Sequence, residues 1–287
     1  ISILQIDNGI FEVLSTNGDT FLGGDDFDRA IVNYWAEEHA LKMEDLKTNK
    51  ELSQQLRLAA ERAKKALSTA PVFDTRVNTL DLKISRAKFE ELIQPLVQRT
   101  IDSCRAALRD AKLEITAIDH VVMVGGSTRV PLVKQRVGKF FKKTVNDKLN
   151  PDEVVALGAA IQADVLAGNQ KDVLLLDITP LSLGIETVGG LMDTIIPRNS
   201  KVPTRVGRSY TTSVDGQKNL KVAVFQGERD LVENNRKLGE FILRDIPPMP
   251  AGLPKIEISF LLDADGILQV KAQELRSNVE QSIEIRS

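Results

Sequence analysis

The sequence predicts two domains of different fold class, an α/β domain followed by an all-β sandwich. Three observations lead to this prediction. Helical periodicity fills much of residues 1–170, a buried strand at 121–124 runs into a glycine turn and a helix, and short strand patterns replace the helices from residue 180 onward. Seven of the eleven prolines lie in that last part, where they oppose helix formation.

The composition of the 287 residues excludes several classes of protein. A net charge of −2 gives no electrostatic reason to expect nucleic acid or an anionic membrane as a partner. No apolar run approaches the roughly 18 residues of a membrane span, and the N-terminus has no secretory pattern. One cysteine rules out an internal disulfide, and two distant histidines make a metal site improbable. We therefore expect a cytoplasmic protein without a metal site of its own.

The first elements are a predicted hairpin and a helix. Two strand-like runs, Ile1–Ile6 and Ile10–Leu14, flank Asn8-Gly9, and Asn-Gly between apolar runs is typical of a tight hairpin turn. A polar loop then passes through Gly23-Gly24 into a helix. Four side chains share one face of that helix: Phe27, Ile31, Tyr34 and Trp35.

A second helix is predicted to run to about Ser68. Residues Thr48–Glu51 have the form of a capping box, which marks a helix start. At about 100° per residue, Leu56, Ala63 and Leu67 gather on one side. The opposite face is polar and carries Glu61, Lys64, Lys65 and Ser68. A solvated helix face is the ordinary explanation for such a stripe.

The next segment alternates apolar and polar residues over Leu80–Ile84, which predicts a half-buried strand. Ser85 then caps a helix that Pro95 should kink or divide in two, because proline removes a helical hydrogen bond. Cys104 lies on the apolar face of its second half and is expected to be a core residue.

A candidate nucleotide site emerges from the glycine turns. The strand Val121–Val124 runs into Gly125-Gly126, and a helix is predicted to begin at Asn150-Pro151 and to stop at Gly168. Strand, glycine turn and helix N-terminus can together receive a phosphate or a nucleoside. Ser127 offers a hydroxyl, and Arg129 offers a guanidinium that stacks on flat rings.

Both glycine pairs also fit the simpler interpretation of tight turns without a ligand. The Gly23-Gly24 pair could line the phosphate side, but the sequence lacks the Gly-Lys-Ser/Thr end of a P-loop. We identify no catalytic residue, since no activated serine, cysteine–histidine pair or paired carboxylates stand out.

An apolar segment joins the two predicted domains. Four apolar residues, Val173–Leu176, lie between Asp172 and Asp177. Linkers are usually polar, so this segment is either a buried strand or a docking linker that alternates between bound and free states.

The C-terminal part has the pattern of a β-sandwich of about eight strands, with turns such as Asp215-Gly216 and Asp265-Gly266. The strand-like runs are 183–187, 208–213, 220–226, 240–243, 256–262, 267–273 and 282–285. A candidate peptide site lies on neighbouring strands and loops, beside Gly189-Gly190, where an extended peptide could add strand-like hydrogen bonds. Its residues are Ile185, Thr187, Val188, Tyr210, Leu220 and Val222. The alternative is that these side chains only form the sandwich core.

Six motifs occur in order: Leu22–Asp28, Glu61–Lys64, Val124–Pro131, Asn150–Glu153, Asp172–Gly184 and Gln226–Arg229. Together they resemble the seventy-kilodalton heat-shock chaperone family of the DnaK type, over the whole chain. Four segments look most like the HscA branch, which is devoted to iron–sulfur cluster assembly: Gly24–Asp26, Val130–Lys134, Ala159–Asp164 and Glu228–Val232.

The resemblance implies an actin-like ATPase domain, mainly its lobe II, at residues 1–170. A linker at 171–181 and a β-sandwich peptide-binding domain at 182–287 would follow. It implies ATP or ADP with Mg²⁺ as ligand of the full-length parent. The nucleotide-binding positions would be Gly23, Gly24, Glu61, Lys64, Lys65, Ser68, Gly125, Gly126, Ser127, Arg129 and Asp152.

In the sandwich, the resemblance assigns Val188 and Ser213 to an arch over the bound peptide. It assigns Ile185, Tyr210, Leu220 and Val222 to the central pocket. Many relatives have methionine and alanine in the arch, so this chain departs from the common pattern there. The implied partners are an extended client peptide, with the iron–sulfur scaffold protein as the expected client, and a J-domain co-chaperone in a bacterial cytoplasm.

The resemblance also places the family's two phosphate loops and its catalytic lysine upstream of Ile1, and a helical lid after the sandwich. We therefore expect this chain alone to bind peptide without hydrolysing ATP, and it need hold no cofactor. Without the upstream half of the nucleotide domain, the docked state of the linker should lose much of its support. Leu174–Leu176 should then be exposed to solvent or paired with another chain as an added strand.

Three alternatives remain at this point. The chain could serve as a general DnaK-type folding chaperone, or as a passive peptide-binding module. A sugar kinase of the same actin-like superfamily would explain residues 1–170, but it has no use for the linker or the sandwich.

Overall fold

The computed structural model describes residues 1–169 and 173–286, which form two compact units. Within these residues, one unit comprises Ile1 and residues 17–169, and the other joins residues 2–16 to residues 173–286. The N-terminal hairpin, assigned from sequence to the first domain, therefore groups with the linker and the sandwich. The predicted boundary between residues 170 and 171, and Asp172 of the linker motif, lie outside the described residues.

The N-terminal hairpin forms as predicted. Strands β1 (Ser2–Asp7) and β2 (Ile10–Thr16) pair antiparallel, and Asp7 lies opposite Ile10. Both turn residues have positive φ, 48° at Asn8 and 82° at Gly9. This is the geometry that an Asn-Gly turn supplies at low cost.

Three helices follow in the first unit: α1 (Gly24–Glu38), α2 (Met43–Thr48) and α3 (Lys50–Leu67). Trp35 of α1 is fully buried, and its indole nitrogen donates to the carbonyl of Lys83 over 3.1 Å. The expected capping box at Thr48 is wrong. Asn49 is the N-cap of α3, and its side chain accepts from the amide of Leu52, because α2 already incorporates Thr48.

The predicted strand is one half of a second hairpin, formed by β3 (Val72–Val77) and β4 (Leu80–Ser85). Helix α4 (Arg86–Ala111) starts at the predicted Ser85 cap but is continuous through Pro95, so the expected division into two helices is wrong. Pro95 lies on the exposed side of α4, where water can satisfy the carbonyl that loses its partner.

Shorter elements complete the first unit: β5 (Val121–Val122), α5 (Pro131–Phe141), β6 (Val145–Asn146) and α6 (Val154–Leu166). A 3₁₀ turn over Gly126–Arg129 separates β5 from α5. The helix expected from Asn150 starts at Val154 instead. The Asn150 side chain accepts from the amide of Asp152 in a local turn, which competes with helix formation there.

The linker forms a strand, β7 (Leu174–Leu176), which pairs in parallel with β2. Leu174 and Leu175 are 51% and 40% exposed. Leu174 and Leu175 are thus exposed, in agreement with one of the two expected outcomes, whereas Leu176 is half-buried. The pairing with β2 was not expected, and pairing with another chain stays a prediction. The chain's own hairpin offers the free edge of β2.

The sandwich consists of two four-stranded sheets, ordered β12-β11-β8-β9 and β10-β13-β14-β15. Within residues 173–286 its strands are β8 (Leu183–Thr187), β9 (Leu191–Ile196), β10 (Thr204–Tyr210), β11 (Leu220–Gln226), β12 (Arg236–Leu243), β13 (Ile256–Leu262), β14 (Leu268–Glu274) and β15 (Glu280–Ile285). Side chains from both sheets, such as Val224 and Phe260, form one buried core. No helix in the described ranges is long and apolar enough to cross a membrane.

Candidate functional site

Three parts of the predicted nucleotide site meet around Gly24, the first residue of α1. A Cβ placed on Gly24 would lie 3.1 Å from Nζ of Lys64 and 3.4 Å from Oγ of Ser127. The glycine turn, the polar face of α3 and the segment after β5 are thus in direct proximity. A Cβ here would be in ordinary contact with Ser127 but would crowd the Lys64 ammonium, which would have to shift by a few tenths of an ångström.

Lys64 differs from the other members of its stripe because it points toward α1. Its ammonium donates to Oδ2 of Asp28 over 2.8 Å and to the carbonyl of Gly24 over 3.1 Å. The Lys64 side chain is 16% exposed and that of Asp28 is 5% exposed. Burial raises the pKa of the Asp28 carboxyl, although the hydrogen bond and charge of Lys64 act in the opposite direction.

The remaining stripe residues lie on the accessible side of α3. Lys65 forms an ion pair with Glu61, one turn earlier, at 2.6 Å. That contact lowers the pKa of Glu61, but exposed pairs of this kind contribute little to stability. Ser68 donates its hydroxyl to the carbonyl of Lys64 within the same helix.

A second group forms around the turn that follows β5. Arg129 donates to Oδ2 of Asp152 over 2.6 Å and to the side-chain oxygen of Asn150 over 3.1 Å. Gly125 has φ +89°, which strains any residue other than glycine. A Cβ on Gly126 would lie 3.9 Å from Oδ1 of Asp152. The predicted residues of this region are therefore brought together, and half of the Arg129 side chain stays accessible for stacking.

Two open concavities each contain two of the predicted residues. A groove of about 510 Å³ between α3 and the β3–β4 turn contains Glu61 and Lys65. A smaller one of about 350 Å³ contains Gly23 and Gly24. The larger groove adds residues that sequence reasoning missed: Gln55, Leu58, Arg62, Arg76, Val77 and Asn78.

Asp28 was also missed, although the sequence carries a signal for it. It falls on the buried stripe of α1 with Ile31 and Trp35, three and seven residues further on. An acidic residue on a buried stripe needs a partner. The sequence therefore indicates that Asp28 pairs with a basic residue on a neighbouring helix.

Two observations bear on nucleophilic chemistry and on metal binding. Cys104 is 2% exposed, and burial raises the pKa of its thiol to about 11, so it is no nucleophile. Within residues 1–169 and 173–286, no three His, Cys, Asp or Glu side chains gather closely enough to hold a metal ion. A Mg²⁺ ion that arrives with a nucleotide keeps phosphate oxygens and waters as most of its ligands.

Of the predicted peptide-site residues, some lie in the core of the sandwich and others on its surface. Ile185 and Val222 are almost fully buried, in agreement with the alternative that they form the core. Tyr210 and Leu220 are partly buried and pack against that core. The arch position Val188 is 82% exposed.

The other two predicted positions lie at loops or strand ends. Ser213 is exposed and its amide donates to the side chain of Gln217. Thr187 donates its hydroxyl to the carbonyl of Leu191 across the turn.

Asp193 joins the two sheets beside this region. It lies opposite Ile185 in the β8–β9 register and so shares its inward face. The hydroxyl of Tyr210, on β10, donates to Oδ2 of Asp193 over 2.7 Å, and Arg208 donates to the other carboxylate oxygen. This contact therefore ties β10, an edge strand of one sheet, to β9, an edge strand of the other.

The end of the linker is fixed to the sandwich. The amide of Val202 donates to the carbonyl of Asp177, and Thr179 exchanges backbone hydrogen bonds with Asn199 and Ser200. The Asn199 side chain in turn accepts from the amide of Thr16 at the end of β2. The linker therefore lies between the hairpin and the 197–202 loop.

The Gln226–Arg229 motif anchors the next residues. Oε1 of Glu228 accepts from the amide of Ser182 over 2.7 Å, and the amide of Gly227 donates to the carbonyl of Ser182. A Cβ on Gly227 would collide with Asn235, so glycine is required there.

A family model described as Hsp70 protein matches residues 1–287. Members of this family are ATP-dependent chaperones that bind ATP or ADP with Mg²⁺, client peptides and co-chaperones. The match extends over the two glycine turns, the linker and the sandwich described above, and it shows that the chain belongs to the Hsp70 family.

Proposed function

We propose that this chain is part of an ATP-driven chaperone in which the sandwich captures an extended client segment and the linker transmits the nucleotide state. One observation carries the proposal: β7 pairs with β2, and the residues directly after it are hydrogen-bonded to the 197–202 loop of the sandwich. A single short segment thus contacts both the hairpin and the peptide-binding sandwich.

The linker contact is suited to reversible docking. Within the described part of the linker, from residue 173 onward, only three residue pairs join β7 to β2, from Ile10–Leu174 to Glu12–Leu176. Leu174 and Leu175 leave much of their surface in water. Short edge pairings with few buried contacts open at low free energy. A change in the nucleotide lobe therefore needs little energy to release the strand.

The exposed turn after β8 is the proposed entry to the peptide site. Val188 is 82% exposed beside Gly189 and Gly190, which have φ of 84° and 71°. Exposed aliphatic side chains beside a loop suit contact with an apolar client segment. Main-chain hydrogen bonds would supply the remaining affinity.

Titration of a fluorescein-labelled extended apolar peptide into the chain tests this proposal. We expect Val188→Asp to weaken binding about tenfold, because it places a charge where apolar contact is needed. Val155→Asp is the matched control, since Val155 is also exposed, at 67%, but lies on α6. Absence of saturable anisotropy with the unmodified chain would contradict peptide binding.

The motifs shared with the HscA branch favour a role in iron–sulfur cluster assembly, in a bacterial cytoplasm. The proposed client is the iron–sulfur scaffold protein, and the proposed co-chaperone carries a J-domain. The longer parent protein should then turn over ATP faster when the scaffold protein is added. Unchanged turnover would favour a general DnaK-type folding chaperone.

We propose that the chain alone does not turn over ATP, because we identify no catalytic residue among its described residues. Multiple turnover by the purified chain would contradict this.

A passive peptide-binding module is the second candidate. It is favoured by the sandwich having a closed core of its own, built from both sheets. Peptide affinity that is the same with and without ATP in the longer parent would support this candidate over the ATP-driven one.

A further inference from the structure

The chain contains two Asn-Gly dipeptides, Asn8-Gly9 and Asn17-Gly18, and the structure places them in different surroundings. Asparagine is among the chemically labile residues of proteins. When glycine follows it, the glycine nitrogen can attack Cγ of the asparagine side chain, because no Cβ hinders the approach. The reaction needs only water, so exposure and hydrogen bonding decide which asparagine reacts.

Asn8 and Gly9 form the turn between β1 and β2. Asn8 is exposed, and its side chain has no hydrogen-bond partner among the described residues. The Gly9 amide, which is the attacking group, likewise donates to no residue in the described ranges. Both reacting groups are thus without a competing partner in the part of the chain that the structure describes.

Asn17 is held more firmly. Its side-chain nitrogen donates to Oδ2 of Asp110 over 3.5 Å, and its backbone amide donates to the carbonyl of Ile1 over 2.9 Å. Asn17 is also half-buried. It therefore serves as an internal control that has the same dipeptide chemistry in a more restrained setting.

The Asn8-Gly9 turn also carries the first contact of the linker strand. The carbonyl of Gly9 accepts from the amide of Leu174 over 3.0 Å. Cyclisation requires the peptide group between Asn8 and Gly9 to rotate toward the Asn8 side chain and out of the tight turn. Because that rotation displaces the Gly9 carbonyl, the docked linker opposes it. By linkage, a modified turn must weaken the docked linker.

We propose that Asn8 is a site of spontaneous deamidation whose rate is controlled by the linker. The Gly9 nitrogen forms a bond to Cγ of Asn8, and the side-chain nitrogen leaves as ammonia, taking up the proton that Gly9 loses. Water then adds to one carbonyl of the resulting succinimide ring and opens it to aspartate or isoaspartate. No group is oxidised or reduced. The inference rests on the pairing of β7 with β2 and not on client binding.

The isoaspartate product alters the backbone itself. The main chain then runs through the side-chain carbon of residue 8, which adds a methylene group to the turn. A two-residue turn with two positive φ values, 48° and 82°, has no room for an extra backbone atom. The Gly9 carbonyl is therefore displaced from the Leu174 amide, and residue 8 gains a negative charge next to Asp7.

Ageing of the purified chain in mildly alkaline buffer, followed by peptide mapping with mass spectrometry, tests the site. We expect Asn8 to deamidate at least about tenfold faster than Asn17, because local opening at the tip of a hairpin costs little free energy. Equal rates at the two asparagines, or a faster reaction at Asn17, overturn the inference.

Two variants at one position test the control by the linker. Leu174→Pro removes the amide that contacts Gly9, so it should speed the reaction at Asn8 without changing the rate at Asn17. Leu174→Ala keeps that amide and should react much more slowly than Leu174→Pro. An Asn8 rate that is the same in both variants overturns the control by the linker.

Amide hydrogen exchange tests the effect of the modification. Asn8→Gly is the control chain, because glycine accepts the same positive φ and has no side chain to react. After ageing, the Leu174 amide should exchange about tenfold faster in the isoaspartate form than in aged Asn8→Gly. Equally slow exchange in both overturns the effect on the linker. Rapid exchange at Leu174 in both chains before ageing also overturns the inference, because the linker would then be free from the start.

Discussion

Phe11 and Leu175 lie directly opposite each other in adjacent parallel strands, although they are 164 positions apart in the sequence. Phe11 belongs to the N-terminal hairpin and Leu175 to the linker. On the other side of β2, Ile6 of β1 lies opposite Phe11. The side chains of Ile6, Phe11 and Leu175 therefore share one face of a three-stranded sheet. The linker is therefore a structural part of the hairpin's sheet.

Proline at position 174 should release the linker strand. The amide of Leu174 donates to the carbonyl of Gly9 over 3.0 Å, and proline has no donor. We expect Leu174→Pro to speed thermolysin cleavage between residues 174 and 176. Leu174→Ala keeps the amide and loses a half-exposed side chain, so it should cleave much more slowly. Equal cleavage of the two variants would show that the strand pairing has no effect.

Alanine at Gly24 should destabilise the first unit. The new Cβ would lie 3.1 Å from Nζ of Lys64, which Asp28 holds in place. We expect a loss of about 1 kcal/mol in the free energy of unfolding by urea. Gly18→Ala is the control, since nothing lies within 4 Å of its Cβ position. A Gly24→Ala chain as stable as the control would argue against a fixed Lys64.

Cys104 should be nearly inert in the folded chain. Burial raises its thiol pKa to about 11, so at pH 8 only about one thiol in a thousand is ionised. Iodoacetamide should label Cys104 slowly in buffer and rapidly in denaturant. Rapid labelling of the folded chain would show that the Cys104 side chain does not lie on the buried face of α4.

Tyr210 should make stability depend on alkaline pH. Burial, followed by its hydrogen bond to Asp193, raises the pKa of the phenol above the ordinary 10.0. Above about pH 10 the unfolded chain loses the phenolic proton and the folded chain keeps it, so this contribution to stability falls as pH rises. Urea unfolding at pH 8 and pH 11 should show a larger loss for the unmodified chain than for Tyr210→Phe. Equal losses would contradict a buried phenol.

Local chemistry in the sequence was a good guide to several elements. Asn8-Gly9 specified the hairpin, because few dipeptides accept two positive φ values. The short strand patterns after residue 180 predicted the sandwich. Strand β9 was missed because Asp193 and Thr194 interrupt its apolar pattern. Asp193 faces inward only because Arg208 and Tyr210 of the other sheet satisfy it.

Long-range contacts explain most of the other differences. Periodicity cannot show that the linker pairs with β2, because the partner lies in a distant hairpin. The same holds for Asp28 and Lys64, which lie 36 positions apart on two helices. The sequence shows that both residues are charged, but it does not show that α1 and α3 pack with these two side chains toward each other. The glycine turns were located correctly, and their proximity to Lys64 and Ser127 became clear only from the structure.

Amide hydrogen exchange at two neighbouring linker residues tests the central claim, that the linker docks on its own hairpin. The amide of Leu174 points to β2. Successive amides of a strand point to opposite sides, so that of Leu175 faces the open edge of the sheet. We predict, in a chain shown to be monomeric by sedimentation, that the Leu174 amide exchanges at least about tenfold more slowly than the Leu175 amide. Equally rapid exchange at both amides would contradict the account, because it would mean that the linker is free.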